Sequence, residues 1–140
     1  MNKNKGSKKK NLIILIVEDD DQIRDLILRF FKDSEEDNIF KSADFLSAGN
    51  GAEAKKILAE SMCAVDLLIT DYSMPELNGC QLIEWLKEEN CNLKILTISG
   101  FIADRHEEVK IMQLTDFFLS KPFGKSQIVH AVKVALGMIE

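Results

Sequence analysis

Three short apolar runs constrain this chain more than any other feature. Residues 12–17, 65–70 and 93–98 are dominated by Leu, Ile and Val, and each gives way at once to a polar side chain: Glu18, Asp71 and Ser99. Runs of this length and composition predict central strands of a parallel sheet, covered on both faces. The stretch Leu67-Leu68-Ile69-Thr70-Asp71-Tyr72-Ser73-Met74-Pro75-Glu76-Leu77-Asn78-Gly79 shows the plan most clearly. An apolar run ends in an aspartate, a loop with Pro and Gly follows, and a helical pattern starts at Cys80. Strand, acid, loop and helix in that order present a reactive group at the C-terminal edge of a strand, where open α/β sheets bind ligands.

The rest of the chain keeps the same alternation. Ile23, Leu26, Ile27, Phe30 and Phe31 recur at helical spacing, and Asp20 or Asp21 precedes them as a cap. The charged, breaker-rich residues 33–38 end that helix. A short strand is predicted over 45–48, ahead of the turn Gly49-Asn50-Gly51. A helix over 52–61 then points Ala54, Ile57 and Leu58 inward. Helix 80–89 has Leu82, Ile83 and Leu86 on its core face, a weakly patterned helix covers 104–113, and an edge strand covers 117–119. Ile128, Ala131, Val132, Ala135, Leu136 and Ile139 form the last helical stripe. Five strands alternating with five helices predict βαβ units, right-handed crossovers and an α/β fold with helices on both faces of a parallel sheet. The length of 140 residues suits one domain, 11–140, behind a flexible Lys-rich tail, 1–10.

Charge narrows the function. Five of the 18 basic residues stand in the first ten positions, so residues 11–140 carry 13 basic against 23 acidic side chains, a net of −10. An acidic body argues against sequence-independent nucleic-acid binding, which depends on phosphate neutralisation, and suits a cation site. The longest apolar run is far too short to cross a bilayer, and no small-residue cleavage site follows it, so no membrane role is expected and the chain reads as cytoplasmic. Cys63, Cys80 and Cys91 are odd in number and lack a Cys-x-x-Cys pair, which reads as free thiols in a reducing compartment.

In a doubly wound sheet of order 2-1-3-4-5, strands 1 and 3 are neighbours at the point where the strand order reverses. Glu18, Asp19 and Asp71 then crowd one edge, on strands about 4.8 Å apart. Carboxylates that close make one another harder to ionise, and a hard divalent cation removes the conflict. Mg²⁺ takes few carboxylates and completes its shell with water and phosphate oxygens. An aspartate can itself accept a phosphoryl group. The transferred oxygens need neutralising, and Lys121 after strand 5, the Ser99 hydroxyl after strand 4 and the loop amides after Asp71 are the donors available. Taken singly, each feature has a plainer reading: a solvated capping cluster, a turn, a surface lysine. All four follow separate strands in the required order, and that combination is specific.

The same residues resemble the receiver domains of two-component response regulators across essentially all of 11–140. The resemblance rests on Ile14-Leu15-Ile16-Val17-Glu18-Asp19-Asp20, Asn50-Gly51-Ala52-Glu53-Ala54, Asp71-Tyr72-Ser73-Met74-Pro75 with Asn78-Gly79, Ile98-Ser99-Gly100 and Lys121-Pro122-Phe123. It implies a flavodoxin-like doubly wound fold of sheet order 2-1-3-4-5. It implies that Asp71 is the phosphoacceptor for a histidine kinase or phosphotransfer protein, and that the domain catalyses only its own phosphorylation and dephosphorylation. Mg²⁺ would be held by Asp19 directly, by Glu18 through water, by Asp71 and by the Ser73 backbone carbonyl. Ser99 would be the switch hydroxyl, Phe118 the switch aromatic, and Lys121 the phosphoryl contact, with a cis Lys121–Pro122 bond. A downstream protein partner would dock on the fourth helix, fifth strand and fifth helix. Ser73 and Phe101, flanking the site, imply slow loss of phosphate.

The chain departs from the family pattern at four points. The link between the first helix and second strand is about six residues longer than usual, Leu114 replaces the glycine that ends the fourth helix, Phe118 lacks a tyrosine's hydroxyl, and the lysine tail is extra. The leading expectation is a stand-alone phosphorylation-controlled module. The alternatives are a phosphorylation-independent interaction domain on the same fold, an aspartate-nucleophile phosphohydrolase, and a flavodoxin-like cofactor binder. Ser73 stands where the phosphohydrolase would want a second Asp, and the acidic loop after strand 1 lacks the anion cradle that a cofactor phosphate needs.

Overall fold

The computed structural model describes residues 11–33, 38–100 and 102–139. Five strands form one parallel sheet: β1 (Ile13–Val17), β2 (Asp44–Ala48), β3 (Leu67–Asp71), β4 (Lys94–Ser99) and β5 (Phe117–Ser120), in the order β2-β1-β3-β4-β5. The crossover helices are α1 (Asp21–Lys32), α2 (Gly51–Glu60), α3 (Gly79–Glu88), α4 (Arg105–Leu114) and α5 (Lys125–Ala135). The expected order and fold class are therefore observed.

Period-two alternation along the strands splits the core into two layers. Leu15, Val17, Leu68 and Ile95 face α2, α3 and α4, where they meet Ala54, Leu58, Leu82, Ile83, Leu86 and Ile111. Ile14, Ile16, Leu67, Ile69, Leu96 and Ile98 face α1 and α5, meeting Ile27, Phe31, Ile128, Ala131 and Val132. Both faces of β1 and β3 are covered, which is why those runs are apolar without alternation.

Several local expectations are corrected. Leu26 is 39% exposed and Leu28 packs in its place, because the buried stripe of α1 runs through Ile27 and Phe31 and Leu26 falls on its rim. Ile139 lies beyond the last helix and is 42% exposed, since α5 stops before Gly137, a glycine in the left-handed region (φ 75°). The long link after α1 contains a one-turn helix, Asn38–Lys41, that sequence reading missed. Its Phe40 is fully buried, with its ring 5.2 Å from that of Phe31.

The cysteines are corrected too. Cys63 and Cys91 are joined in a disulfide, their Cα atoms 5.6 Å apart, and only Cys80 is a free, buried thiol. Their spacing of 28 residues gave no pairing signal; the parallel packing of α2 beside α3 brings them together.

Leu114 needs no glycine-like conformation. Thr115 caps α4 with an extended backbone (φ −99°, ψ 151°), and its amide donates to the Ile111 carbonyl. The Thr115 hydroxyl stands 3.0 Å from the Ile95 and Phe117 carbonyls and from the Thr97 hydroxyl, so the end of α4 is fastened to β4 and β5. The Lys-rich tail and Phe101 lie outside the described residues.

Candidate functional site

The site forms where β1, β3, β4 and β5 end. Val17 pairs with Thr70 and Asp71 with Ile98, so Glu18 and Asp71 leave neighbouring strands at the same level. The loop after β1 is short and pinned. Glu18 donates its amide to Ala48 at 3.1 Å, and Asp20 caps α1 by accepting from Gln22 and Ile23. Asp20 also donates its own amide to Glu18 Oε2 at 3.1 Å. Arg24 donates from Nη1 to the Glu18 carbonyl at 2.6 Å and pairs through Nη2 with Asp21. Sequence reading missed Arg24. It has no motif, and the tight turn through the Asp20 cap into the first turn of α1 gives it this role.

Glu18, Asp19 and Asp71 each place a carboxylate oxygen within 4.8 Å of the other two. Glu18 and Asp71 are 2% and 5% exposed, whereas Asp19 is exposed. Lys121, from the end of β5, closes the site with Nζ 3.3 Å from Asp71 Oδ2 and 3.5 Å from Glu18 Oε1. Its bond to Pro122 is cis, as expected. Asp71 Oδ1 accepts from the Ser73 amide at 3.4 Å, and the Ser73 side chain is exposed.

The electrostatics follow from burial. Glu18 is pushed up to about 7, chiefly by burial; the Asp20 amide pulls the other way, Asp71 adds repulsion, and Lys121 counters it. Asp71 is also raised, by burial first, against the opposing pull of Lys121. Burial alone would lower the Lys121 ammonium, but the charges of Asp71 and Glu18 outweigh it and raise it. Two buried carboxyls thus share one cation, and the set is short of positive charge.

Two buried oxygens have no hydrogen-bond partner among the described residues: Glu18 Oε1 and Ser99 Oγ. Lys121 approaches Glu18 Oε1 as an ion-pair partner without forming a hydrogen bond. Buried oxygens are normally bonded, so the partnerless Ser99 hydroxyl has capacity for a group from outside, while Glu18 Oε1 has the ion pair with Lys121. An oxygen-only donor set with excess negative charge fits a hard divalent cation such as Mg²⁺. Ser99 Oγ fits a phosphoryl oxygen, which accepts the hydroxyl's proton.

The loop after Asp71 is held closely against the strand. Gly79 donates to the Tyr72 carbonyl at 2.8 Å, and a Cβ on Gly79 would sit 2.8 Å from the Asp71 carbonyl oxygen and 2.9 Å from Tyr72 Cα. Asn78 and Gln81 form a capping box that starts α3. The Tyr72 hydroxyl donates to Glu107 on α4, a contact that sequence reading also missed.

Ser99 and Phe118 lie on the same face of the sheet. Thr97 pairs with Phe118, and Ser99 is two residues further along β4. Ser99 is 1% exposed, and Phe118 is half-buried against the layer under α2, α3 and α4.

Known proteins resemble this chain in sequence and fold. The family model for the response regulator receiver domain matches residues 14–133. The polar-differentiation response regulator DivK of Brucella anthropi is 25% identical over 126 residues, which cover 89% of this chain and 95% of that one. The sensor kinase CckA of Brucella abortus is 28% identical over 123 residues, covering 88% of this chain and 12% of CckA. The chain therefore spans a small part of some relatives and nearly the whole of others. A response regulator receiver protein from Pseudomonas putida has a similar structure, with a TM-score of 0.75 at 25% identity, covering 90% of this chain and 98% of that one. The five-stranded parallel order β2-β1-β3-β4-β5 agrees with that match. The chain belongs to the response regulator receiver domain family.

Proposed function

We propose that this domain is a phosphorylation-controlled switch in which Asp71 accepts a phosphoryl group from a histidine kinase or phosphotransfer protein. The observation that carries the reading is the buried Asp71 carboxylate set between the Glu18 carboxylate and the partnerless Ser99 hydroxyl, with Lys121 paired to both acids. An inert interaction module would gain nothing from two buried carboxyls crowded on one lysine beside a hydroxyl with no partner, an arrangement that costs stability.

Asp71 attacks the phosphorus through a carboxylate oxygen, the bond to the donor nitrogen breaks, and its electron pair leaves on the imidazole. Lys121 already contacts Asp71 Oδ2 and follows the charge onto the phosphoryl oxygens. Ser99 donates its hydroxyl to one of them. Mg²⁺, held by Glu18, Asp19, Asp71 and the Ser73 carbonyl, would neutralise the remaining charge. Glu18 titrates near neutrality without a cation and would ionise fully beside one.

The signal then leaves through a surface. Val109 and Met112, one turn apart on α4, are 45% and 54% exposed, and β5 is the edge strand of the sheet, with α5 packed against it from the other face. This supports a protein partner docking at α4, β5 and α5. Among the described residues no helix is long and apolar enough to cross a membrane.

The test is intact-mass analysis after incubation with a small acyl phosphate and Mg²⁺. The wild-type chain should gain one phosphoryl group, and Asp71→Asn should gain none, its amide being a poor nucleophile. An unmodified wild-type chain would favour the phosphorylation-independent module, and Asp71→Asn labelled at the wild-type rate would remove Asp71 from the role.

A further inference from the structure

Helices α2 and α3 end in the same way. At the end of α2, Met62 donates its amide to Ala59 at 3.2 Å and Cys63 to Leu58 at 2.8 Å; at the end of α3, Asn90 donates to Lys87 at 3.2 Å and Cys91 to Leu86 at 3.0 Å. Both are Schellman ends, in which one left-handed residue closes the helix and the next bonds back to the last turn. The left-handed positions are Met62 (φ 55°) and Asn90 (φ 58°), and both cysteines come next. Two neighbouring helices closed identically bring the cysteines to a Cα separation of 5.6 Å, within the span of a disulfide.

The two sulfurs are not equally accessible. Cys63 is partly exposed and lines an open depression of about 300 Å³ with Leu58, Ala59, Met62, Trp85 and Asn90. Cys91 is 9% exposed and does not line it. Met62 and Cys63 (φ 60°) are consecutive non-glycine residues in the left-handed region, a backbone that persists only where its surroundings hold it.

We propose that Cys63 and Cys91 form a thiol–disulfide exchange site, closed and opened by a small thiol and its disulfide, that clamps the C-terminal ends of α2 and α3 together. To open it, a thiolate from the depression attacks the Cys63 sulfur. The protein disulfide breaks, its electron pair leaves on the Cys91 sulfur, and that sulfur takes a proton. A second small thiolate attacks its counterpart in the mixed disulfide, releasing Cys63 as a thiolate and forming the small-molecule disulfide. Two small thiols are oxidised and one protein disulfide is reduced; the reverse sequence closes the clamp. The bracketed segment contains β3 with Asp71 and all of α3, whose N-terminus is fastened to the end of β3 through Gly79 and Tyr72. The inference stands apart from the phosphoacceptor assignment.

The experiment equilibrates the full chain, under native conditions, with mixtures of reduced and oxidised glutathione, then alkylates free thiols and weighs the products. Cys63 and Cys91 should appear as thiols together, and re-oxidation should restore the disulfide. Amide exchange at residues 61–64 and 90–92 should be at least about tenfold faster in the opened form, as expected of local unlatching, with β1 and β4 unchanged. Cys91→Ser should carry a glutathione adduct on Cys63, and Cys63→Ser should acquire one on Cys91 at least about tenfold more slowly, because access controls the attack. A disulfide that survives excess reduced glutathione overturns the proposal, and so does a folded Cys91→Ser chain with no adduct. If either variant fails to fold, the wild-type titration decides alone.

Discussion

The Tyr72 hydroxyl donates a hydrogen bond to Glu107, tying the residue next to Asp71 to the first turn of α4. The phenol is held above its ordinary pKa, first by burial and then by the Glu107 carboxylate, so it remains a donor throughout the physiological range. Lys110 of α4 pairs with Glu84 of α3 nearby, but that pair is about half exposed and contributes little. Tyr72→Phe is expected to lower stability by about 1–2 kcal/mol, the range for a partly buried bond to a charged acceptor. Hydrogen exchange should quicken along residues 105–114 and not in α1. Equal exchange in both helices would mean that Tyr72 does not anchor α4.

The two buried carboxyls make metal-free stability depend on pH. A carboxyl that holds its proton more tightly in the folded chain makes the folded state bind more protons between its unfolded and folded pKa values. Stability therefore falls as pH rises through that window. For Glu18 the window runs from 4.5 to about 7, and Asp71 shifts in the same direction. Denaturant titrations without metal should show the chain more stable at pH 5 than at pH 7.5, by on the order of 1–3 kcal/mol. Mg²⁺ should stabilise it at pH 7.5 and much less at pH 5, where protons compete for the same oxygens. A metal-free stability that rises over this range would contradict the placement of Glu18.

Gly79 is a second point of sensitivity. Any Cβ there meets the backbone of Asp71 and Tyr72, which cannot give way as a flexible side chain would. Gly79→Ala should destabilise by about 1–3 kcal/mol, as overpacking does, despite alanine's better helix propensity. It should also slow phosphorylation by displacing the Asp71 carbonyl. A variant as stable as the wild type in urea would show that the loop is slack.

Ser99 and Phe118 invite a direct look at switching. The Ser99 hydroxyl has no partner among the described residues and is free to turn toward a phosphoryl group. Phe118 shares its face of the sheet and is half-buried, so space vacated near Ser99 lets the ring move inward. With no phenolic hydroxyl, that inward state rests on packing alone. Adding beryllofluoride and Mg²⁺ should shift the NMR resonances of Ser99, Phe118 and residues 105–120 together. Movement at Ser99 with Phe118 unchanged would send the search for an output route to another face, since a ligand shifts only the equilibrium it discriminates.

The apolar runs ending in Glu18, Asp71 and Ser99, and the helical stripes between them, determined the strands, the helices and the edge where the chemistry gathers. Those signals are local: a strand buried on both faces must be apolar, and a residue that leaves its end must be polar to meet water or a ligand. The sequence named all members of the acidic cluster, and Lys121 with it, because each stands at or within two residues of the end of a strand. Tertiary structure alone decided the rest. Arg24 reaches Glu18 because the Asp20 cap turns the chain directly into the first turn of α1, and Tyr72 meets Glu107 only because α4 packs beside the end of β3. Cys63 finds Cys91 because two parallel helices end alike, side by side. Pairings between residues far apart in the chain leave no periodicity to read, since they depend on how the elements pack and not on what each element is made of.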